Sequence, residues 1–280
     1  MRQLFLLSFM VVTAFTSASA TKINTKKIGI QLYSIRHEIN TNLEASLDSV
    51  AAIGYSFVEA ASYKDGLFYG LTPKAFKALL KKRNLKFLSS HAAINISQLG
   101  SFEEELLWWD QAIAAHKAAG VKYLVMPSMD VRFALKSIEN LKHYCDYMNA
   151  IGAKCKKAGI RFGFHNHLAQ FNKVENVVAY DFMLENTNPK YVFFQMDLYW
   201  ANKAQVDIPA YFNKYPGRFD LIHVKDEKEL GASGEINFKQ ILGFWKIAGA
   251  KHLIVEQEAF SFPHFISLKK SLEFLQTTLK

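Results

Sequence analysis

Seven of the eight apolar, strand-like segments of this chain end on a polar or ionisable residue. These residues are Glu59, His91, Ser128, His165 with His167, Asp197, His223 with Lys225, and Glu256. The segments alternate with helical ones, which is the pattern of a (β/α)8 barrel. Because the carboxyl ends of all barrel strands meet at one mouth, these acids and imidazoles are expected to gather there. Such a set can hold a divalent metal ion, and it predicts an enzyme.

Three candidate metal ligands end three successive predicted strands. Asp197 follows VFFQM, His223 lies in LIHVKD, and Glu256 lies in LIVEQE. Carboxylate oxygens with one imidazole suit Mn²⁺, Mg²⁺, Co²⁺ or Zn²⁺ and leave positions open for substrate oxygens. Alone, the aspartate is more often a helix cap, and the histidine is more often a hydrogen-bonded core residue. Their joint occurrence on successive strand ends favours a shared metal site.

The segment FGFHNH supplies two further imidazoles. His165 and His167 lie on one side of the fifth predicted strand, with Asn166 on the other, because side chains alternate along a strand. His165 is a candidate fourth metal ligand, and His167 is a candidate base or substrate contact. A hydrogen-bonded structural pair is the alternative, but two buried imidazoles without a role are costly.

Three more residues are candidates for proton transfer and charge stabilisation. Glu59 and His91 end the second and third strands, and we expect them across the mouth from the metal ligands. There, either one can take a proton from a carbon beside a polarised carbonyl. A salt bridge from Glu59 and a loop cap by His91 are equally open. Lys225 shares the inward side with His223 and can stabilise an enolate or alkoxide.

Sugar-binding candidates lie on the first strand and after the sixth. Gln31 and Tyr33 alternate with apolar residues on the first strand, and they are placed to bind hydroxyl groups. Trp200, next to Tyr199, can form a stacking wall for a sugar ring. Ordinary loop packing explains the two aromatic residues equally well.

The order of the elements predicts a single barrel domain over residues 21–280. Glycines end four helical segments just before a strand, and the strand-to-helix connections are the long ones, as expected at a catalytic mouth. The predicted strands are 28–33, 57–60, 86–91, 123–126, 160–165, 192–197, 220–225 and 252–256. The predicted helices are 42–53, 72–83, 102–119, 137–158, 180–186, 208–214, 238–248 and 265–279.

The N-terminus predicts export, and the composition argues against a membrane span and against nucleic acid as a partner. Residues 1–20 combine Arg2, a short apolar run and an A-x-A site, which is typical of a cleaved signal peptide and predicts a periplasmic protein. No second long apolar run is present, so no membrane span is expected. The net charge of +9 is scattered over helix faces without an aromatic-lined basic stripe, which counts against nucleic acid. Cys145 and Cys155 lie too far apart on one predicted helix to form a disulfide.

Several of these segments together resemble the sugar phosphate isomerase/epimerase family, with its xylose-isomerase-like barrel. The matching segments are IGIQLYSIR, FVEA, FGFHNH, MDLYW followed by PAYFNKYPGRF, LIHVKD, GEINF and LIVEQE. The resemblance covers nearly all of 27–280. It implies a divalent metal held by an acid from the fifth strand together with Asp197, His223 and Glu256. This chain departs from that pattern, because it offers His165 at the fifth strand and Gln170 where HNH-containing relatives carry a glutamate.

The resemblance implies a metal-dependent sugar isomerase or epimerase that removes a proton next to a polarised carbonyl. Similar exported barrels look like lyases or hydrolases of 3-keto-glycosides, so these activities are the first alternative. A carbohydrate-binding barrel with weakened catalysis is the second, because a neutral Gln170 binds a cation more weakly than a carboxylate. An endonuclease-like barrel acting on abasic DNA shares the architecture, but the export signal and the missing basic groove count against it. The expected partner is a small sugar or keto-glycoside, and the oligomeric state stays open.

Overall fold

The computed structural model describes residues 28–280, so the predicted signal at 1–20 lies outside the described residues. Eight parallel strands close into a barrel in chain order, with the first strand paired to the last. The predicted (β/α)8 fold is therefore confirmed. The strands are β1 (Ile28–Gln31), β2 (Phe57–Ala60), β3 (Lys86–His91), β4 (Tyr123–Met126), β5 (Arg161–His165), β6 (Val192–Asp197), β7 (Leu221–Val224) and β8 (His252–Val255).

Helices connect the strands, and their ends follow local chemistry. Thr72 and Ser137 accept hydrogen bonds from backbone amides of the helices that they precede. Gly54 and Gly120 end helices in the left-handed conformation, as the sequence predicts. The helices are α1 (Arg36–Thr41), α2 (Leu43–Ile53), α3 (Pro73–Lys81), α4 (Glu103–Ala119), α5 (Val131–Ala134), α6 (Ile138–Lys157), α7 (Ala179–Asn186), α8 (Leu198–Lys203), α9 (Ile208–Lys214), α10 (Phe238–Gly243), α11 (Trp245–Ala248) and α12 (His264–Thr278).

Aromatic rings fill the barrel interior and require glycine on neighbouring strands. Phe57, Tyr123 and Phe193 form a buried cluster that is separate from the main core. A Cβ atom on Gly29 would lie 2.2 Å from the ring of Phe57, and one on Gly163 would lie 2.5 Å from the ring of Phe193. These two glycines therefore make room for the packed layer beneath the mouth.

Several element boundaries differ by one or two residues from the sequence predictions, and three of the differences have a local cause. β1 ends at Gln31, because its side chain accepts a hydrogen bond from the backbone of Tyr33 and the chain turns into a 3₁₀ helix, Leu32–Ile35. The helix predicted from residue 42 begins one residue later, because Asn42 caps it, and α1 precedes it. The helix predicted over 238–248 is divided into α10 and α11, which meet at Phe244.

The long connections at the mouth carry short elements of their own. They hold α5, α8, the 3₁₀ helix Leu168–Phe171 and a two-stranded hairpin of Lys173–Val174 with Val177–Val178. Within residues 28–280, no helix is both long enough and apolar enough to cross a membrane. Cys145 and Cys155 are buried free thiols, as the sequence predicts.

Candidate metal centre

Four side chains from four consecutive strands meet at the mouth of the barrel. His165 of β5, Asp197 of β6, His223 of β7 and Glu256 after β8 each bring one ligating atom to within 4.8 Å of the others. All four are buried. The structure thus brings together the four residues that the sequence analysis named as candidate ligands.

Asp197 caps a helix with one oxygen and keeps the other without a partner, so the two interpretations of this residue from the sequence are compatible. Its Oδ1 atom accepts a hydrogen bond from the backbone of Trp200 at 2.9 Å and caps α8. Its Oδ2 atom is buried and has no hydrogen-bond partner among the described residues. The cap fixes the carboxylate, and the second oxygen is free to serve as a ligand.

Asn166 positions Asp197 from the far side of β5. Its Oδ1 atom accepts the backbone N–H of Asp197 at 2.9 Å, and its side-chain amide lies 3.4 Å from the carbonyl of Asp197. The hydroxyl of Tyr180 donates to the same Oδ1 atom. The side chains of His165 and His167 therefore lie at the mouth, and the amide of Asn166 between them contacts the neighbouring strand.

Burial and neighbouring charges shift the pKa values of these four groups. Burial would lower the pKa of His223, but Glu59 and Glu256 raise it to about 10, so a cation that binds there would displace a proton. Burial lowers the pKa of His165 well below its usual value, and the nearby His223 lowers it further, so this ring is neutral and able to bind a cation. Burial raises the pKa of Asp197. Burial would raise the pKa of Glu256 as well, but the hydrogen bond from His223 holds it below its usual value. A buried carboxylate such as Asp197 gains from a cation that replaces its lost hydration.

The donor set fits a divalent metal ion. Asp197 Oδ2 and His165 Nδ1 are both buried and lack hydrogen-bond partners within residues 28–280. Their side chains cluster with two further donors of the types that borderline divalent ions prefer, one imidazole and one carboxylate. A second possible set, formed by His91, His165 and His223, shares two of these residues. The first set fits better, because it includes two carboxylates and the Asp197 oxygen without a partner.

Lys225 places a fixed positive charge beside the four ligands. Its Nζ atom contacts Glu258 and lies 3.8 Å from Glu256. Burial would lower the pKa of Lys225, but the carboxylates of Glu256 and Asp197 raise it, so the side chain remains a cation. Its Nζ atom also lies 5.3 Å from the ring centroid of Trp200, which is therefore part of the same wall.

Two imidazoles line the opening above the buried ligands. The ring of His167 lies 4.8 Å from that of His165 and 5.9 Å from that of Trp200, measured between centroids. Both His167 and His91 are partly exposed, unlike His165. Burial lowers the pKa of His167, so the ring is neutral near pH 7. His167 therefore suits a base or a contact to substrate.

The predicted position of Glu59 is wrong. Glu59 does not lie apart from the ligand cluster, because its Oε1 atom is 2.6 Å from Nε2 of His223. The side chain reaches from β2 to the barrel centre and has no exposed surface. His91 lies close to the same carboxylate, with its Nε2 atom 2.9 Å from Oε1. Both residues are in direct contact with the cluster that they were expected to face.

Gln31 and Tyr33 separate in the structure. Gln31 is buried and donates to Glu59 at 2.8 Å, so it supports the interior and does not line the opening. Tyr33 lies in the 3₁₀ helix, is 42% exposed and packs against the guanidinium of Arg36. The expectation that the two residues share one face fails, because β1 ends between them.

Gln170 has a structural contact. Its Oε1 atom accepts the backbone N–H of His167 at 2.7 Å, as part of a capping box at the start of the short 3₁₀ helix. The amide therefore fixes the backbone that carries His167.

Sequence reasoning missed four residues that support the cluster. Gln195 donates to Glu59, Ser89 donates to the same carboxylate, Asn166 holds Asp197, and Glu258 contacts Lys225. A period of two is the signal that finds three of them. Gln195, Ser89 and Glu258 stand two positions from Asp197, His91 and Glu256 and share their side of the strand or its extension.

The arrangement of ligands at the mouth agrees with a sequence comparison. The profile of the xylose isomerase-like TIM barrel family matches residues 47–278. The chain belongs to this family. The xylose isomerase-like barrel thus accounts for the fold, and the resemblance seen in the sequence is confirmed.

Solved structures include similar xylose isomerase-like barrels. A sugar phosphate isomerase/epimerase from Parabacteroides distasonis is 31% identical, with a TM-score of 0.83 over 90% of this chain and 99% of that chain. A second protein of the same description and organism is 28% identical, with a TM-score of 0.85 over 97% of this chain and 100% of that one. The chain is therefore a member of the sugar phosphate isomerase/epimerase family.

The curated relatives of this xylose isomerase-like barrel are inosose dehydratases. The protein from Lacticaseibacillus casei is 25% identical over 221 residues, which cover 75% of this chain and 70% of that protein. The match to the enzyme of Salmonella typhimurium strain LT2 is 27% identical over 82 residues and spans 27% of its length. The proteins similar to this chain are therefore described as isomerases, epimerases and dehydratases.

Proposed function

We propose that this protein is a divalent-metal-dependent isomerase or epimerase that moves a proton at the carbon next to the carbonyl of a sugar or similar polyhydroxy ketone. The main support for the proposal is the buried cluster at the mouth that is formed by His165, Asp197, His223 and Glu256. A cation bound there would act as a Lewis acid on a carbonyl oxygen. The family membership supports the same chemistry.

The remaining groups at the mouth have the properties that proton transfer needs. His167 is neutral near pH 7 and partly exposed, so it can accept a proton from a bound substrate. Glu256, directly after β8, is ionised because the hydrogen bond from His223 outweighs its burial, so it offers a second acceptor. Lys225 stays cationic and can stabilise the negative charge that develops on oxygen.

A dehydratase or other lyase is the second candidate. The inosose dehydratases among the relatives favour it, because elimination of water next to a carbonyl starts with the same proton removal. The lyase and hydrolase reactions on 3-keto-glycosides would use the same residues to bind the carbonyl and remove the proton next to it. In each case a leaving hydroxyl or alkoxide needs an acid, and Lys225 or a protonated His167 can supply the proton.

Solvent exchange separates these activities. The Mn²⁺-loaded protein is incubated in D₂O with a ketose panel, an inosose and a 3-keto-glucoside, and products are followed by NMR and mass spectrometry. An isomerase or epimerase incorporates deuterium next to the carbonyl without loss of mass, whereas a dehydratase gives a product lighter by one water. Deuterium entry should fall strongly in His167→Ala and stay unchanged in the exposed-residue control His37→Ala. Binding without exchange or elimination would instead support a carbohydrate-binding barrel.

Export stays a prediction. Residues 1–20 lie outside the described part of the chain, and we propose a periplasmic location from the sequence pattern alone. Sequencing the N-terminus of secreted or periplasmic material tests it. A chain that begins near Thr21 is the expected result, and a chain that begins at Met1 would contradict it.

A further inference from the structure

The ring of His223 lies between carboxylates on both of its nitrogen atoms. Nδ1 is 2.9 Å from Oε2 of Glu256 and 3.9 Å from Oδ2 of Asp197. Nε2 is on the other side of the ring, 2.6 Å from Oε1 of Glu59. The first nitrogen thus faces the candidate ligands, and the second faces the barrel interior.

Glu59 is built into the interior as a fixed acceptor. Its carboxylate receives hydrogen bonds from Gln31 at 2.8 Å, Ser89 at 2.5 Å and Gln195 at 2.9 Å, which come from β1, β3 and β6. Every one of these groups donates, so the carboxylate accepts on both of its oxygens. Because three donors already point at this carboxylate, it is held as an acceptor towards Nε2 of His223.

We propose that Glu59 is a positioning residue that accepts the Nε2–H of His223 and so makes Nδ1, which faces Asp197 and Glu256, the nitrogen that binds the metal ion. An imidazole that binds a metal ion keeps a proton on its other nitrogen only, so a fixed acceptor at Nε2 leaves Nδ1 for the cation, which would displace the proton that Nδ1 shares with Glu256. Carboxylates in this position commonly orient metal-binding histidines. The inference rests on the metal centre of the proposed function and gives Glu59 a role other than that of a base.

The burial of Glu59 favours the positioning of His223 over a role as a base. A base must reach the substrate within hydrogen-bond distance, either directly or through one water molecule. Glu59 has no exposed surface, and both of its oxygens already accept hydrogen bonds. The side chains that lead from its carboxylate to the mouth are His223 and His91, so Glu59 does not itself reach a substrate.

Co²⁺ binding without substrate tests the proposal. Calorimetry and the visible absorption of Co²⁺ give affinity and geometry for the wild type, for Glu59→Gln and for Asp220→Asn. In Glu59→Gln an amide group faces the surrounding donors and no longer fixes the tautomer, so affinity should fall about 10- to 100-fold. Asp220 pairs with Arg161 at the opposite end of β7, so it is a matched carboxylate control and should bind Co²⁺ as the wild type does.

The outcomes distinguish this inference from the proposed function. Equal Co²⁺ affinity and spectra in wild type and Glu59→Gln overturn the role of Glu59 and leave the metal centre intact. A wild type that binds no Co²⁺, Mn²⁺ or Zn²⁺ overturns both. If Glu59→Gln does not fold, ¹⁵N–¹H NMR of the histidines in the Zn²⁺-loaded wild type decides. The His223 proton is expected on Nε2, and a proton on Nδ1 or metal on Nε2 would overturn the proposal.

Discussion

Substitution of Asp197 separates its structural function from its proposed metal function. In Asp197→Asn, the amide oxygen can still accept the backbone N–H of Trp200 and cap α8, because asparagine is as good a cap as aspartate. The amide group replaces Oδ2, which is the oxygen without a partner in the described chain. Asp197→Ala removes both functions. The two variants therefore predict different patterns of stability and metal binding.

The magnitudes follow from the cap and from binding linkage. Loss of a cap costs about 1 kcal/mol, so the Tm of metal-free Asp197→Ala should lie about 2–4 °C below that of metal-free Asp197→Asn. A metal ion at 100 times its Kd stabilises the folded state by about 2.7 kcal/mol. For a domain of this size, that raises the Tm of the wild type by about 5–10 °C.

Calorimetry with and without Mn²⁺ measures both quantities. We expect the wild type to show the metal-dependent rise in Tm, and both variants to lose it. A full metal-dependent rise in Asp197→Asn would show that this carboxylate is not a ligand. Equal Tm values for the two metal-free variants would show that the cap contributes no stability.

Three further predictions concern catalysis, acid stability and packing. His167→Ala should lower turnover about 10²- to 10⁴-fold without changing Mn²⁺ affinity in calorimetry, and weaker Mn²⁺ binding would instead make His167 a ligand. Burial would raise the pKa of Glu229, but hydrogen bonds from Ser267 and from the backbone lower it to about 2. The ionised Glu229 therefore stabilises the folded state fully above about pH 4.5, and this stabilisation is lost as the pH falls towards 2. Glu229→Gln should therefore reduce the loss of Tm between pH 5 and pH 3, and an unchanged pH profile would refute this. Gly163→Ala should destabilise the fold by about 1–3 kcal/mol in urea unfolding, because its Cβ would meet the ring of Phe193, and a neutral result would show that the ring can move.

The barrel could be predicted from the sequence because its strands are short apolar runs between clear breaks. The predicted bounds of β3, β4 and β6 match the structure residue for residue. Buried parallel strands produce such runs, and a glycine at the end of the preceding helix marks where β2 and β4 begin. The end of β1 was missed, because it depends on one hydrogen bond from the backbone of Tyr33 to the side chain of Gln31.

The candidate ligands could be predicted from the sequence, but two contacts that hold them could not. Strand ends place Asp197, His223 and Glu256 at one mouth whatever the exact shape of the barrel. The contact of Glu59 with His223 depends on how far a side chain reaches across the interior, which strand pairing and packing decide. The hydrogen bond from the backbone of Asp197 to Asn166 also joins two neighbouring strands. The alternation of side chains along one strand does not show which residue of the next strand is the partner.

Anomalous diffraction from crystals of the Mn²⁺-loaded wild type tests the central claim most directly. We expect one strong peak at the barrel mouth, within about 2.0–2.6 Å of ligating atoms of Asp197, His223 and Glu256, with His165 as the fourth protein ligand. The His223 ligand should be Nδ1. A mouth without a peak in crystals that contain Mn²⁺, or a peak held by His91 without either carboxylate, would contradict the account.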